Sequence, residues 1–272
     1  MNILLQKTIN NKMVVFIDLP HVLKMKEILG IDVGATGIKG AIVNIEEGVL
    51  VTDRIKYPTP KPATPQAMTE VMKTLIEDHN WTGKPIGIGF PAIIKDGVAQ
   101  SASNIDNSWI DFPIIGFLNK KLRSPVNVIN DADAAGLAEQ KFGGGTEKKG
   151  LVVLLTLGTG IGSAIFNNGV LIPNTELGHL KWKDSIVEKY VSNNARETKD
   201  LSYKVWGKEL NKVLNHLEFV LSPDHFIIGG GISKKFHKYQ EFFDCVATVE
   251  PAKMLNNAGI IGAAMAAPEV TT

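Results

Sequence analysis

Cysteine is almost missing from this chain of 272 residues; Cys245 is the only one. One thiol excludes an internal disulfide framework and a cysteine-ligated zinc cluster. It also makes a reducing, cytoplasmic compartment the expected location. An excess of charge of one sign is missing too. The 29 Lys and Arg nearly cancel the 28 Asp and Glu, leaving a net charge of +1, so neither nucleic acid nor a membrane is expected as a partner, although a local basic patch is still allowed. Long apolar runs are absent, and Val14–Leu19 is too short to cross a bilayer. No GxxxxGK[ST] occurs, which excludes a P-loop. No GxGxxG opens a helix, which excludes the dinucleotide fingerprint.

An apolar content of 44% is enough for one large or two modest domains. Residues 1–27 mix lysine with short apolar runs and have no long apolar core before a small-residue cleavage site, so no signal peptide is read there. They are expected to be an N-terminal extension, either a mis-assigned start or a disordered arm. Strand-like runs then follow at Ile28–Val33, Ile38–Ile45 and Val49–Tyr57, separated by the turn signals GATG and EEG. Met68, Val71, Met72, Leu75 and Ile76 recur at helical spacing within Pro65–His79. A short strand at Pro85–Phe90, a hairpin at Ile93–Gln100 and a helix near Ile114–Leu122 lead to the strand Val126–Ile129.

The second half repeats the opening. ILGIDVGATGIKGAIVNIEEGVLV and VLLTLGTGIGSAIFNNGVLI are both strand, glycine-rich hairpin, strand, glycine turn, strand, with Asp32 aligned on Thr156 and Gly34 on Gly158. A repeat of two halves predicts two similar α/β lobes with a cleft between them, each hairpin facing the cleft. A helix from about Leu201 to Leu221, a strand at His225–Ile228 and a packed helix at Asn257–Ala267 complete the chain.

Several residues could carry chemistry. In GIDVGATGIKG, glycines let the backbone offer N–H groups to an anion, Thr36 adds a hydroxyl and Lys39 a positive charge. Asp32 stands in an apolar strand, where a carboxylate needs a partner; a water-linked divalent metal is one such partner. LTLGTGIGS offers Thr156, Thr159 and further glycines to phosphoryl oxygens. In NTELGH, Glu176 and His179 can reach one side of a tight turn and hydrogen-bond a polyol. IIGGGIS is a strand entering a helix start, where a phosphate could pack, followed by Lys234, Lys235 and Lys238. VINDADAAGLAE puts Asn130, Asp131 and Asp133 at the junction of a strand and an Ala-rich helix. Such residues cap helices well, and a carboxylate at a strand end can also do chemistry. Asp133 reads as a helix-start residue that favours the helix dipole.

Taken together, GIDVGATGIKG, NDADAAGLAE, LTLGTGIGSAIF, LIPNTELGH and IIGGGIS resemble the ROK family of sugar kinases and related repressors, from about Lys26 to Ala266, and within it the polyphosphate glucokinases. The resemblance implies two actin-like, ribonuclease H-like α/β lobes. Residues 28–129 with the C-terminal helix 255–268 would form the small lobe and 130–254 the large lobe. It implies transfer of a phosphoryl group from polyphosphate or ATP to the 6-hydroxyl of glucose, with Mg²⁺, in a homodimer. Asp131 matches the catalytic base, and Asn104, Asn130, Glu176 and His179 match sugar-binding positions. Gly34, Thr36, Gly37, Lys39, Thr156, Gly158, Thr159, Gly160, Gly229 and Gly230 match the donor side, and Asp32 the position near magnesium.

The zinc motif CxCGxxGC that many members carry is replaced here by LKWKDSIVEKYVSN, as in the polyphosphate glucokinases, so no zinc is expected. The further sugar-binding Glu that follows this motif in zinc-bearing members is left unassigned, with Glu188 as a stand-in. A polyphosphate donor needs a basic track, for which Lys148, Lys149, Lys234, Lys235 and Lys253 are candidates. Two alternatives stand beside this reading: an ATP-dependent kinase of mannose, fructose or an N-acetylated amino sugar, and a non-catalytic sugar sensor. Residues 1–27, interrupted by Pro20, are too few for the helix-turn-helix a repressor would need, and a sensor would not require Asp131.

Overall fold

The computed structural model describes residues 25–269 and, in addition, the backbone of two short strands, Gln6–Ile9 and Lys12–Val15, that pair antiparallel with each other. Of the N-terminal extension expected over residues 1–27, residues 1–5, 10–11 and 16–24 lie outside the described residues, and Glu27 already belongs to the first strand of the first sheet.

The first half contains β1 (Glu27–Val33), β2 (Ile38–Asn44), α1 (Pro65–Asp78), β3 (Ile86–Phe90), α2 (Ile114–Leu122) and β4 (Val126–Asn130). The sheet runs β4-β3-β1-β2, with two short strands on the far side of β2. Strand β1 is antiparallel to β2, and β3 and β4 run parallel to it. The sheet is covered on both faces, which is why its central strands are apolar without strict alternation. Leu29, Ile31 and Val33 pack with Met68, Met72 and Leu75 of α1 and Leu118 of α2. Ile28, Ala41 and Val43 point the other way, into a second cluster with Ile260, Ile261 and Ala264. Helix α1 starts where Thr64 accepts the N–H of Ala67 and Pro65 takes the first turn.

The run expected as one strand over Val49–Tyr57 is two, Val49–Leu50 and Ile55–Tyr57. The break has a local cause, because the Thr52 hydroxyl accepts the Ile42 N–H at 3.0 Å, so a side chain stands where a strand carbonyl would.

Helix α3 (Asp131–Phe142) carries the chain from β4 into the second half, which contains β5 (Leu151–Leu157), β6 (Ile161–Asn167), β7 (Val170–Ile172), α4 (Tyr203–Leu221), β8 (His225–Gly229) and β9 (Thr248–Pro251). Its sheet runs β7-β6-β5-β8-β9. The senses of pairing repeat those of the first half: antiparallel, antiparallel, parallel, parallel. Val153, Leu155 and Leu157 pack with Trp206, Leu210 and Leu214 of α4. A last helix, α5 (Ala258–Met265), returns to lie on the first sheet and crosses α3. Two copies of one strand order, joined by a crossed helix pair, make the two-lobed actin-like fold that the motifs imply.

The helix expected to open directly after Gly229-Gly230-Gly231 is instead a stretch of 3₁₀ turns, Gly231–Lys238, interrupted at Lys235. The segment that follows the glycine turn therefore offers no α-helix N-terminus of its own. What remains there is the backbone of Gly230, whose φ of 81° suits glycine.

Candidate functional site

The C-terminal ends of β1, β4, β5 and β8 open onto the cleft between the halves, where open α/β sheets bind their ligands. Each hairpin is closed by a backbone bond from its first glycine, the first turn being one residue longer than the second. The N–H of Gly34 donates to the carbonyl of Gly37 and that of Gly158 to Gly160, both at 3.0 Å. Register makes Asp32 and Thr156 equivalents: Asp32 pairs across the hairpin with Lys39 and beside Gly89, Thr156 with Gly162 and beside Gly229.

Two adjoining cavities fill the cleft. One, of about 240 Å³, is lined by Asn104, Asn130, Asp131, Glu176 and His179, together with Gly34, Thr156, Gly158, Thr159 and Gly160. The other, of about 210 Å³, is lined by Asp32, Lys39, Asp131, Thr156, Gly229 and Gly230. Asp131, Thr156 and Gly230 line both. All the residues matched to the base, sugar, donor and magnesium positions except Thr36 and Gly37 therefore line one of these two spaces. Thr36 is exposed at the turn, and Gly37 packs against Lys56, whose Cε would lie 2.4 Å from a Cβ added there.

Strand β4 ends and α3 begins at Asn130-Asp131, and both readings of that junction have a physical basis. Asn130 is the cap: its Oδ1 accepts the N–H groups of Ala132 and Asp133 at 2.9 and 3.2 Å. Its Nδ2 donates to the Ala92 carbonyl at 3.2 Å. One amide hydrogen of Asn130 is left for a ligand. Asp131 accepts the Ala132 N–H at 2.9 Å and lies on the wall shared by both cavities. Burial, and then the negative charge of Asp32, push its pKa up to about 7, with Glu176 adding to the rise and the Ala132 N–H opposing it. A carboxylate held near neutrality is suited to take a proton.

The loop bearing Glu176 and His179 is held from three directions. Ser163 of β6 donates to the Thr175 carbonyl at 2.7 Å and accepts the Leu177 N–H at 2.9 Å. Asn174 reaches into the first half, where its side chain accepts the Ile94 N–H at 2.8 Å and donates to the Ile94 carbonyl at 2.9 Å. Asp133 of α3 accepts the Asn174 N–H at 2.7 Å. Asp133 is thus more than a helix-start residue. It is 1% exposed, its Oδ1 has no hydrogen-bond partner among the described residues, and burial pushes its pKa up to about 6 despite the Asn174 N–H. Within the loop, His179 Nδ1 lies 3.5 Å from Glu176 Oε2. Burial also raises the pKa of Glu176, against the pull of His179. Asp133→Ala is expected to raise the KM for the cavity's polyol ligand by about tenfold, one charged hydrogen bond's worth, and to leave the KM for the second substrate unchanged. Steady-state kinetics with each substrate varied in turn checks the split; equal changes in both would mean that Asp133 only supports the fold.

Lys39 Nζ sits 2.7 Å from Asp32 Oδ2, so the half-buried carboxylate has found a cation within its own hairpin. Among the described residues no group of three or more His, Cys, Asp or Glu is placed to hold a metal. Asp32 and Asp131 nevertheless form a carboxylate pair on one cavity. Magnesium keeps much of its water and takes one or two carboxylates along with substrate phosphates. The donor set fits that ion rather than a closed protein cage.

Two further acidic residues matter. Glu188 lines the first cavity, with an oxygen 2.5 Å from where a Cβ on Gly160 would lie. Its place in the motif pattern hinted at the position, but only the packing of Val187 and Val191 in the second core turns it inward. Glu139 is 2% exposed. It accepts the N–H groups of Gly144, Lys253 and Met254 at 2.8, 3.0 and 2.7 Å, tying the end of α3 to the segment before α5.

A model of the ROK family matches residues 28–188. Polyphosphate glucokinase of Mycobacterium tuberculosis (strain H37Rv) is 45% identical over 244 residues, spanning 89% of this chain and 92% of that protein. The solved structure of the inorganic polyphosphate/ATP-glucomannokinase from Arthrobacter sp. strain KM superposes with a TM-score of 0.84 at 44% identity, over 89% of this chain and 98% of that one. A ROK family glucokinase from Streptomyces griseus, solved with glucose and AMPPNP, has a TM-score of 0.74 at 22% identity over 88% of this chain and 98% of that one; it speaks for the fold alone.

Proposed function

The chain belongs to the ROK family, and from that premise we propose that it transfers a phosphoryl group from inorganic polyphosphate or ATP to the 6-hydroxyl of glucose. The observation that carries this reading is the position of Asp131 on the wall shared by a polyol-type cavity and a phosphate-type cavity. The similarity to proteins named polyphosphate glucokinase supports both substrates.

Residues 28–129 with 255–268, and 130–254, are proposed to be the two lobes that close on the substrates. Asn104, Glu176, His179 and the free amide hydrogen of Asn130 hold the sugar hydroxyls, with Glu188 facing the same space. Asp131 takes the proton of the 6-hydroxyl. The C6 oxygen forms its bond to the terminal phosphorus, the bond from that phosphorus to the bridging oxygen breaks, and the shortened chain or ADP leaves with the electron pair. Thr159, Gly160, Gly229 and Gly230 offer backbone N–H groups, and Thr156 its hydroxyl, to the phosphoryl oxygens, while Gly34 and Gly158 spend their N–H groups closing the two turns that line the same space. Positioning and charge neutralisation make up most of the catalysis in this class of reaction. Magnesium, near Asp32 and reached through water, would supply the neutralising positive charge. Lobe closure excludes water, which would otherwise compete as acceptor.

A coupled assay of glucose 6-phosphate, run with Mg²⁺ and either long-chain polyphosphate or ATP, tests this. Turnover is expected with polyphosphate and is expected to vanish with excess EDTA. No turnover with either donor would overturn the reading. Mannose belongs in the same assay as a second acceptor, because the Arthrobacter protein is named a glucomannokinase. No helix among the described residues is long and apolar enough to cross a membrane. A homodimer completes the proposal. Its support is an exposed apolar patch, where Phe219 and Val246 are 86% and 95% exposed and Glu218 joins their segments. Sedimentation velocity giving a monomer at all concentrations would sink it.

A further inference from the structure

The phosphate-type cavity does not end at the glycine turns. At Leu255 and Asn256 it meets an open groove of about 700 Å³, and these two residues line both spaces. The groove lies between the halves. Arg54 lines it from the first half and Lys234 and Lys253 from the second, and no Asp or Glu lines it. None of the ion pairs among the described residues uses these three cations. Arg54 makes only a long contact, 3.5 Å, to the Asn256 carbonyl. The Lys253 backbone is fixed by its N–H donation to Glu139. Lys148, by contrast, has its charge engaged by Glu250 at 3.0 Å, and Lys149 and Lys235 do not line the groove.

We infer that this groove holds the tail of an inorganic polyphosphate chain whose terminal phosphoryl group sits beside Asp131. The inference rests on the donor reading above. Three unpaired cations and no carboxylate suit an extended polyanion better than any neutral ligand. Their spread over both halves means that a bound chain bridges the cleft and favours its closed form. ATP ends in a nucleoside after its third phosphate, whereas polyphosphate continues, so cations beyond the reacting phosphates act on long chains selectively. Exposed charges of this kind act through a field that salt screens within about 10 Å at 0.1 M, and binding a polyanion releases its counterions, which makes affinity fall steeply with salt.

Arg54→Gln, Lys234→Gln and Lys253→Gln, singly and combined, are compared with the unaltered protein. KM is measured for long-chain polyphosphate, tripolyphosphate and ATP at low and high salt. The combined variant is expected to raise the long-chain KM by about tenfold or more and to flatten its salt dependence, with ATP and tripolyphosphate KM unchanged. Retained ATP turnover shows that the variant is folded; should the combination fail to fold, the single variants are each expected to shift the long-chain KM in the same direction. An unchanged long-chain KM, or an equal rise for ATP, overturns the inference while leaving the kinase reading intact. Absence of polyphosphate turnover by the unaltered protein removes the donor reading itself, and this inference with it.

Discussion

Asp131→Asn is expected to lower kcat for glucose phosphorylation by about 10²–10⁴-fold, the range typical of a lost general base, with the KM for either substrate changed little. Asparagine has nearly the same shape and can still accept the Ala132 N–H that Asp131 accepts at 2.9 Å. The loss would therefore report on proton transfer rather than on collapse of the strand–helix junction. Two pH measurements strengthen the test. Asp131 must be ionised to act, and its pKa is pushed up to about 7 by burial and by Asp32. The rate of the unaltered protein should therefore fall with pH along an acidic limb at or below about 7, the positive charge of magnesium acting to lower it.

Stability moves in the opposite sense. The folded-state pKa of Asp131 lies above its ordinary value of 3.8, so folding disfavours the ionised form. The stability associated with the protonated group is fully present below about pH 4 and is lost as pH rises through about 7. Asparagine does not titrate. The Tm of Asp131→Asn relative to the unaltered protein should accordingly rise between pH 4 and pH 8. A variant with near-normal kcat would show that the base lies elsewhere, whatever its Tm.

Gly262→Ala is the second change with a large expected effect, and it acts on the frame of the cleft. Helices α3 and α5 cross so closely that a Cβ on Gly262 would lie 1.6 Å from the carbonyl oxygen of Ala134. Helix α5 cannot simply back away, because it is seated on two glycines of the first sheet. A Cβ on Gly87 would be 1.7 Å from the Ala263 carbonyl oxygen, and one on Gly30 would be 2.0 Å from that of Ile260. The extra methyl must push apart backbone on both sides. Overpacking typically costs about 1–3 kcal/mol, and backbone on both sides puts this case at the upper end; each kcal/mol lowers Tm by about 2–4 °C in a chain of this size class. Helix α3 carries Asp131 and Asp133, so activity should fall with stability. A thermal melt and kcat on the same sample check this; a Tm within a degree of the unaltered protein would show that the crossing can relax.

What the sequence determined by itself was local grammar. Glycines at the β1–β2 and β5–β6 turns, Asn-Asp ahead of an Ala-rich helix, and apolar runs bounded by turn residues are rules that act within a few residues. They placed the strands, the doubled strand order and the Asn130 cap. The same grammar broke down where a side chain within the run took over a backbone role, as Thr52 does by accepting the Ile42 N–H.

Tertiary structure decided the partners of the buried charges. Asp133 meets Asn174 from 41 positions away, and Glu139 meets Met254 from 115 positions away. Nothing in the neighbouring residues encodes either pairing. A buried carboxylate must be satisfied, but which N–H groups satisfy it depends on how two sheets and two crossing helices pack. The same holds for the lysines. Lys148 and Lys253 look alike in sequence as loop lysines, and only the fold gives one of them to Glu250 and turns the other into a groove without carboxylates. Motifs reveal which groups are available for phosphoryl transfer; long-range packing decides which charges are already engaged and which are left to meet a substrate.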